Sequence, residues 1–171
     1  MERLKRHVIV DVETTGMSSK NGGRVIEIGA VAVENLEIVG ELSSLINTET
    51  PIHWGAQRVH GISSAMLRGK PTPQDTWPRF LDFVGDAPLI AHNSSFDSAF
   101  IRYELSLLAL QLPNPWHCTV RLARKHLPQL PNHKLETVAR HLLGEIPADC
   151  RLHRALDDAR ITARVWLEMV G

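Results

Sequence analysis

The chain has 171 residues, 43% hydrophobic and 22% charged, which excludes a disordered or fibrous class and gives length for one domain over residues 1–171 with a substantial core. Lys+Arg and Asp+Glu number 19 each, so a formal net charge of +0 argues against coating long duplex nucleic acid by charge alone, while leaving room for a pocket that grips a few nucleotides. Two cysteines outside any CxxC pattern, a charged start (Met1-Glu2-Arg3-Leu4-Lys5-Arg6-His7) and no run of the ~18 apolar residues of a membrane span point to a cytoplasmic protein with no membrane partner.

Val8-Ile9-Val10-Asp11-Val12-Glu13-Thr14-Thr15-Gly16 opens as a strand and ends in a turn. Alternation places Val8, Val10 and Val12 on one face and Ile9, Asp11 and Glu13 on the other. Two carboxylates held ~4 Å apart at an effective dielectric near 20 repel by about 4 kcal/mol. A shared proton, an arginine or a divalent cation must neutralise them. Residues 17–23 read as a loop with an Asn21-Gly22 turn, followed by strands over Arg24 to Val33, apolar apart from Glu27, and Glu37 to Ile46. Their short connections predict a three-stranded antiparallel meander.

Pro51 to Val59 predicts one or two helical turns ended by His60-Gly61, and Ser63 is placed to cap the next turn. Residues 74–84 form a helix candidate in which Pro78 is awkward. A strand over Ala87 to His92 flows into Asn93-Ser94-Ser95-Phe96-Asp97. A helix from Phe96 to Leu110 follows, with Phe96, Phe100, Tyr103, Leu107 and Leu110 as its apolar spacing. Trp116 to Thr119 predicts a short strand; Val120 to Leu127, Leu135 to Leu143 with Gly144 as C-cap, and about 154–169 predict helices. Early strands followed by strand–helix alternation indicate an α/β domain on a mixed sheet.

Asp97, at the end of a strand and the start of a helix, is either an ordinary first-turn acid or a third carboxylate for the pair on the first strand. In the last helix Asp158 falls within the stripe of Ala155, Ala159, Thr162, Val165, Trp166 and Met169, whereas Asp157 aligns with Arg160, Arg164 and Glu168. An ionised Asp turned toward a core needs a partner, so Asp158 is the ligand candidate, against the alternative of a backbone hydrogen bond; Asp157 is expected to pair with Arg160 or Arg164 on the surface. His153 and Asp158 would lie about 140° apart on a continuous helix, so both approach one site only if His153 sits on the lead-in loop. There it is a candidate general base; otherwise it is a solvent-exposed loop residue. The nine histidines show no zinc spacing.

Asp11-Val-Glu13-Thr-Thr-Gly16, His92-Asn93-Ser-Ser-Phe96-Asp97 and His153-Arg-Ala-Leu-Asp-Asp158-Ala resemble, in order, the three motifs of the DEDD exonucleases. His153 matches the His-containing, DnaQ-like 3′→5′ branch, whose members include polymerase proofreading exonucleases and exoribonucleases. Val59-His60-Gly61-Ile62 and Lys134-Leu135-Glu136 look like secondary signatures. The resemblance implies a ribonuclease-H-like fold and two Mg²⁺ or Mn²⁺ ions held by Asp11, Glu13, Asp97 and Asp158, with His153 as base. It further implies attack of water on the 3′-terminal phosphodiester of single-stranded or frayed DNA, releasing nucleoside 5′-monophosphates. Thr14, Thr15 and Gly16 would line the terminal nucleotide, with His60, Asn93 and Phe96 as further substrate contacts, Phe96 being equally a core residue. A ribonuclease T-like exoribonuclease and a non-catalytic subunit that binds nucleic-acid ends or a polymerase are the alternatives. Cys118-Thr119 stands where relatives often have Asp-Thr, a departure expected to lie away from the chemistry. With Gly171 closing the last helix, no extension of the kind by which a tethered proofreading subunit docks its polymerase is expected; a homodimer is compatible with the family, though no interface is legible.

Overall fold

Residues 6–171 are described in the computed structural model; residues 1–5, most of the charged start, lie outside the described residues. The β-branched runs form the strands β1 (His7–Thr14), β2 (Val25–Glu34) and β3 (Glu37–Leu45), joined as the expected antiparallel meander. Asn35 and Leu36 take φ of 51° and 68° in the turn between β2 and β3, the conformation a tight hairpin requires. Two short strands, β4 (Leu89–Ala91) and β5 (Trp116–Cys118), add on in parallel, giving the order β3-β2-β1-β4-β5. This is the mixed sheet flanked by helices that the element pattern predicts, in the ribonuclease-H-like form that the family resemblance implies.

The helices are α1 (Trp54–His60), α2 (Ser64–Leu67), α3 (Pro73–Val84), α4 (Ser94–Leu107), α5 (Thr119–His126), α6 (Leu135–Leu143) and α7 (Ala155–Val170). Their ends carry the expected chemistry. Gly61 closes α1 at φ 73°, Ser63 accepts the Met66 amide to cap α2, and Thr72 and Asp75 bond reciprocally before α3. Pro78 lies inside α3, where it forfeits an intrahelical hydrogen bond; buried Trp77, Phe80 and Val84 hold the helix against the sheet despite it.

The predicted stripe of α4 holds at Phe96 and Phe100 and fails at Leu107. Its buried positions are Asp97, Phe100, Ile101, Glu104 and Leu105, Leu107 is 51% exposed, and the helix stops before Leu110, with Ala109 turned to φ 54°. Two of the five buried positions hold acids, so a search for apolar spacing slips onto a neighbouring face.

Alternation along β1 is as expected. Val8, Val10 and Val12 join the core with Trp77, Phe80, Phe100 and Ile101, while Ile9 packs with Ala159, Ala163 and Trp166 of α7. Gly29 of β2 pairs with Asp11, and a Cβ there would fall onto the Ala155 carbonyl carbon and Leu156 amide nitrogen. The missing side chain lets the first turn of α7 rest on the sheet beside the acids of β1.

Candidate active site

Asp11 and Glu13 lie on the α7 face of β1, and Asp158 reaches them from the first turn of α7. One carboxylate oxygen of each lies within 4.8 Å of the others. Asp97 stands alongside on α4, 3% exposed, with Oδ1 accepting the Val12 amide at 3.2 Å. Burial, followed by the charges of Asp97, Asp158 and Glu13, pushes the Asp11 carboxyl well above the usual carboxylate range. Burial also pushes Glu13 to about 8, with Asp158 and Glu27 adding to the rise. Asp97 reaches about 8 through burial, against the opposing hydrogen bonds of its own amide and that of Val12. Burial raises Asp158 to about 7, against the His153 amide. The fold thus brings four acids together, three of them with carboxylate oxygens within 4.8 Å of one another.

His153 sits on the lead-in loop, as the helical-phase argument requires, with φ 64° and an exposed side chain. Its amide donates to Asp158 at 3.1 and 3.3 Å, so the loop conformation and the carboxylate position are set together. Asp157 faces away, bonded by Arg160 at 3.0 Å and by the Arg151 amide at 3.0 Å. The two adjacent aspartates separate as their helical phase demands.

A brace that sequence reasoning missed fixes this arrangement. Glu27, 3% exposed, accepts three hydrogen bonds from the Arg154 guanidinium, the shortest 2.6 Å, and one from the Ala155 amide at 3.0 Å. It ties β2 to the residue after His153. Its only signal in the sequence is a lone charge in an otherwise apolar strand. The arginine nearest the acids is therefore occupied, although its charge slightly opposes the rise at Glu13.

Beside Glu13 opens a cleft of about 710 Å³, with Thr14, Thr15, Gly16, Met17, Val59 and Phe96 among its lining residues. The turn that floors it is cross-bonded. Thr15 exchanges hydrogen bonds with the Arg24 backbone, its carbonyl accepts the His53 amide at 2.8 Å, and Thr14 Oγ1 donates to the Gly16 carbonyl at 2.7 Å. Nothing lies within 4 Å of a Cβ built on Gly16, so a side chain there would project into open space. His60 lines the cleft with its ring, but both nitrogens are engaged: Nε2–H donates to the Thr14 carbonyl at 3.1 Å and Nδ1 accepts the Ile62 amide at 3.0 Å. Burial holds its pKa low. Phe96 meets Phe100 at 4.9 Å between centroids in a tilted pair and packs on the core, as one sequence reading expects, while also lining the cleft. Asn93 takes φ 72° at the head of α4 with an exposed side chain. His92 is not turned to the cleft; it bonds Thr119 and the His133 carbonyl, each at 2.8 Å.

Cys118 corrects one expectation. Because β5 runs parallel beside β4, Cys118 pairs with Ala91 and is drawn alongside the start of α4: against burial, hydrogen bonding at Arg121, Ser94 and Asn93 holds its thiol below the usual range. It stands beside the head of the helix that carries Asp97 instead of away from it.

A cluster of oxygen donors with raised affinity for protons, and with no ion pair to a guanidinium among the described residues, has the character of a divalent-cation site for a hard ion. The exonuclease family model matches residues 8–166. A DNA polymerase III PolC-type protein of Clostridium perfringens is 40% identical over 159 residues, covering 93% of this chain. The chain spans only 11% of that protein's length. DNA polymerase III subunit epsilon of Rickettsia felis is 35% identical over 173 residues, covering 97% of this chain and 74% of the subunit. Exonuclease X in complex with 5′ overhanging duplex DNA superposes with a TM-score of 0.77 at 31% identity, over 95% of this chain and 90% of that one. The nuclease domain of 3′hExo, a DEDDh family member bound to rAMP, superposes at 0.80 with 21% identity over 96% and 91% of the two chains, a likeness of fold.

Proposed function

The chain belongs to the exonuclease family, and from that premise we propose that it is a divalent-metal-dependent 3′→5′ exonuclease. It hydrolyses the 3′-terminal phosphodiester of single-stranded or frayed DNA and releases nucleoside 5′-monophosphates. The observation that carries this reading is the set of Asp11, Glu13 and Asp158 oxygens within 4.8 Å of one another, with Asp97 alongside. An all-oxygen donor set fits two Mg²⁺ or Mn²⁺ ions and suits zinc poorly. Bound there, the ions would polarise the phosphodiester and offset charge on the attacking and leaving oxygens.

The residues of the chain supply the rest. Asp11, Glu13, Asp97 and Asp158 bind as carboxylates, so their raised proton affinities make metal binding and deprotonation one event. His153, exposed on the loop fixed by Asp158, takes the proton of the attacking water on its ring nitrogen. Thr14, Thr15 and Gly16 hold the terminal sugar, Phe96 flanks the base, Asn93 offers an exposed amide, and His60 positions the turn through the Thr14 carbonyl.

DNA as substrate and a cytoplasmic setting draw support from the polymerase III relatives. A polymerase is the first partner to test, and a homodimer the second. A module that only binds nucleic-acid ends has no use for four converging acids. A 3′-labelled oligonucleotide incubated with Mg²⁺ or chelator tests the reading. Labelled mononucleotide should appear from DNA early and only with metal. Release from matched RNA alone would move the assignment to an exoribonuclease, and no release with Mg²⁺ or Mn²⁺ would remove the enzyme.

A further inference from the structure

Of the four tryptophans, Trp77 and Trp166 are buried at 0% and 8% exposure and Trp116 is half-buried, whereas Trp54 is 66% exposed. It begins α1, whose Gly55, Ala56 and Val59 line the cleft. The segment is tied to the floor of that cleft at both ends: the His53 amide bonds the Thr15 carbonyl at 2.8 Å, and the His60 ring bonds the Thr14 carbonyl at 3.1 Å. The indole is thus held at a set distance from the acids of β1, six residues or ~9 Å of helix rise from His60. Arg58, one turn on, lies 5.6 Å from the indole centroid and forms no ion pair among the described residues.

We propose that Trp54 is the platform on which a nucleobase upstream of the terminal nucleotide stacks, with the Arg58 guanidinium meeting the phosphate of that step. This rests on the exonuclease reading of the cleft. A flat aromatic surface is sequence-tolerant because every base has a π-face, and an adjacent guanidinium adds both stacking and phosphate neutralisation. The consequence is a preference for substrate length: a dinucleotide fills the cleft and little more, whereas a longer strand also reaches Trp54.

The test uses intrinsic fluorescence, to which Trp54 contributes as the most exposed of the four tryptophans. With Ca²⁺ in place of Mg²⁺, oligothymidylate should quench the emission of the wild-type protein. The quench should vanish in Trp54→Leu while anisotropy of a labelled oligonucleotide still reports binding. In Mg²⁺, the lower KM of a longer oligonucleotide relative to a dinucleotide should be lost by about tenfold in Trp54→Leu and largely retained in Trp54→Phe. A quench that survives in Trp54→Leu, or a length advantage that survives it, overturns the platform. Cleavage by the wild type without any quench overturns the platform and spares the exonuclease. An oligonucleotide that is neither bound nor cut overturns both.

Discussion

The molecule holds two kinds of buried acid, and their partners differ. Glu104, fully buried, receives the Arg24 guanidinium at 2.8 and 2.9 Å and the Val25 amide at 2.9 Å. Glu27 receives Arg154 and the Ala155 amide. At the cleft, Asp97 and Asp158 are similarly enclosed, at 3% and 8% exposure, but the Val12 and His153 backbone amides are their donors. Burial alone does not separate an acid that stabilises the fold from one that serves a reaction. The counter-charge is what differs: Glu104 and Glu27 have it built into the chain, whereas under the proposed function Asp97 and Asp158 leave it to a bound ion.

This contrast can be broken in order of effect. Asp158→Asn should lower turnover by about 10³-fold or more, measured as mononucleotide release, yet leave the metal-free protein as stable or more so, because one of several mutually repelling groups is gone. Glu104→Ala should do the opposite to stability. It strands Arg24 and the Val25 amide and should cost about 3 kcal/mol in a denaturant titration. His153→Ala should slow turnover by about 10²-fold with metal binding intact; a lost metal site would make His153 a ligand instead.

The pH dependence of the metal-free protein comes next. Carboxyls of the unfolded chain lose their protons near pH 4. In the fold, Asp158 keeps its proton to about 7, and Glu13 and Asp97 to about 8. The folded state therefore binds more protons between pH 4 and 8, and stability falls as pH rises through that window. Calorimetry in chelator should show a declining Tm there, and a rising Tm would mean the acids are already compensated. Smallest of all, Asp157→Asn should change stability by no more than about 0.5 kcal/mol, because its partner Arg160 also bonds Glu41 at 2.7 and 2.8 Å.

What the sequence disclosed was local in range. The alternation that pairs Asp11 with Glu13, the helical phase that divides Asp157 from Asp158, and the loop position of His153 each need only a few neighbouring residues. What stayed hidden was long-range or carried by atypical residues. Glu27 and Arg154 are 127 positions apart, and nothing near either names the other. Gly29 reads as a weak strand residue until α7 is seen resting on it. In α4 the buried acids Asp97 and Glu104 masked the amphipathic phase, and only the parallel pairing of β5 with β4 draws Cys118 toward Asp97.

The assignment of the four acids to divalent ions is tested most directly by calorimetric titration of Mn²⁺ into the metal-free protein near pH 7, in buffers of different ionisation heat. Glu13 and Asp97, protonated there in the absence of metal, must release protons as the ion binds. Binding with a buffer-dependent heat, lost in Asp158→Asn, is the predicted result. No binding, or binding that persists in Asp158→Asn without proton release, would contradict it.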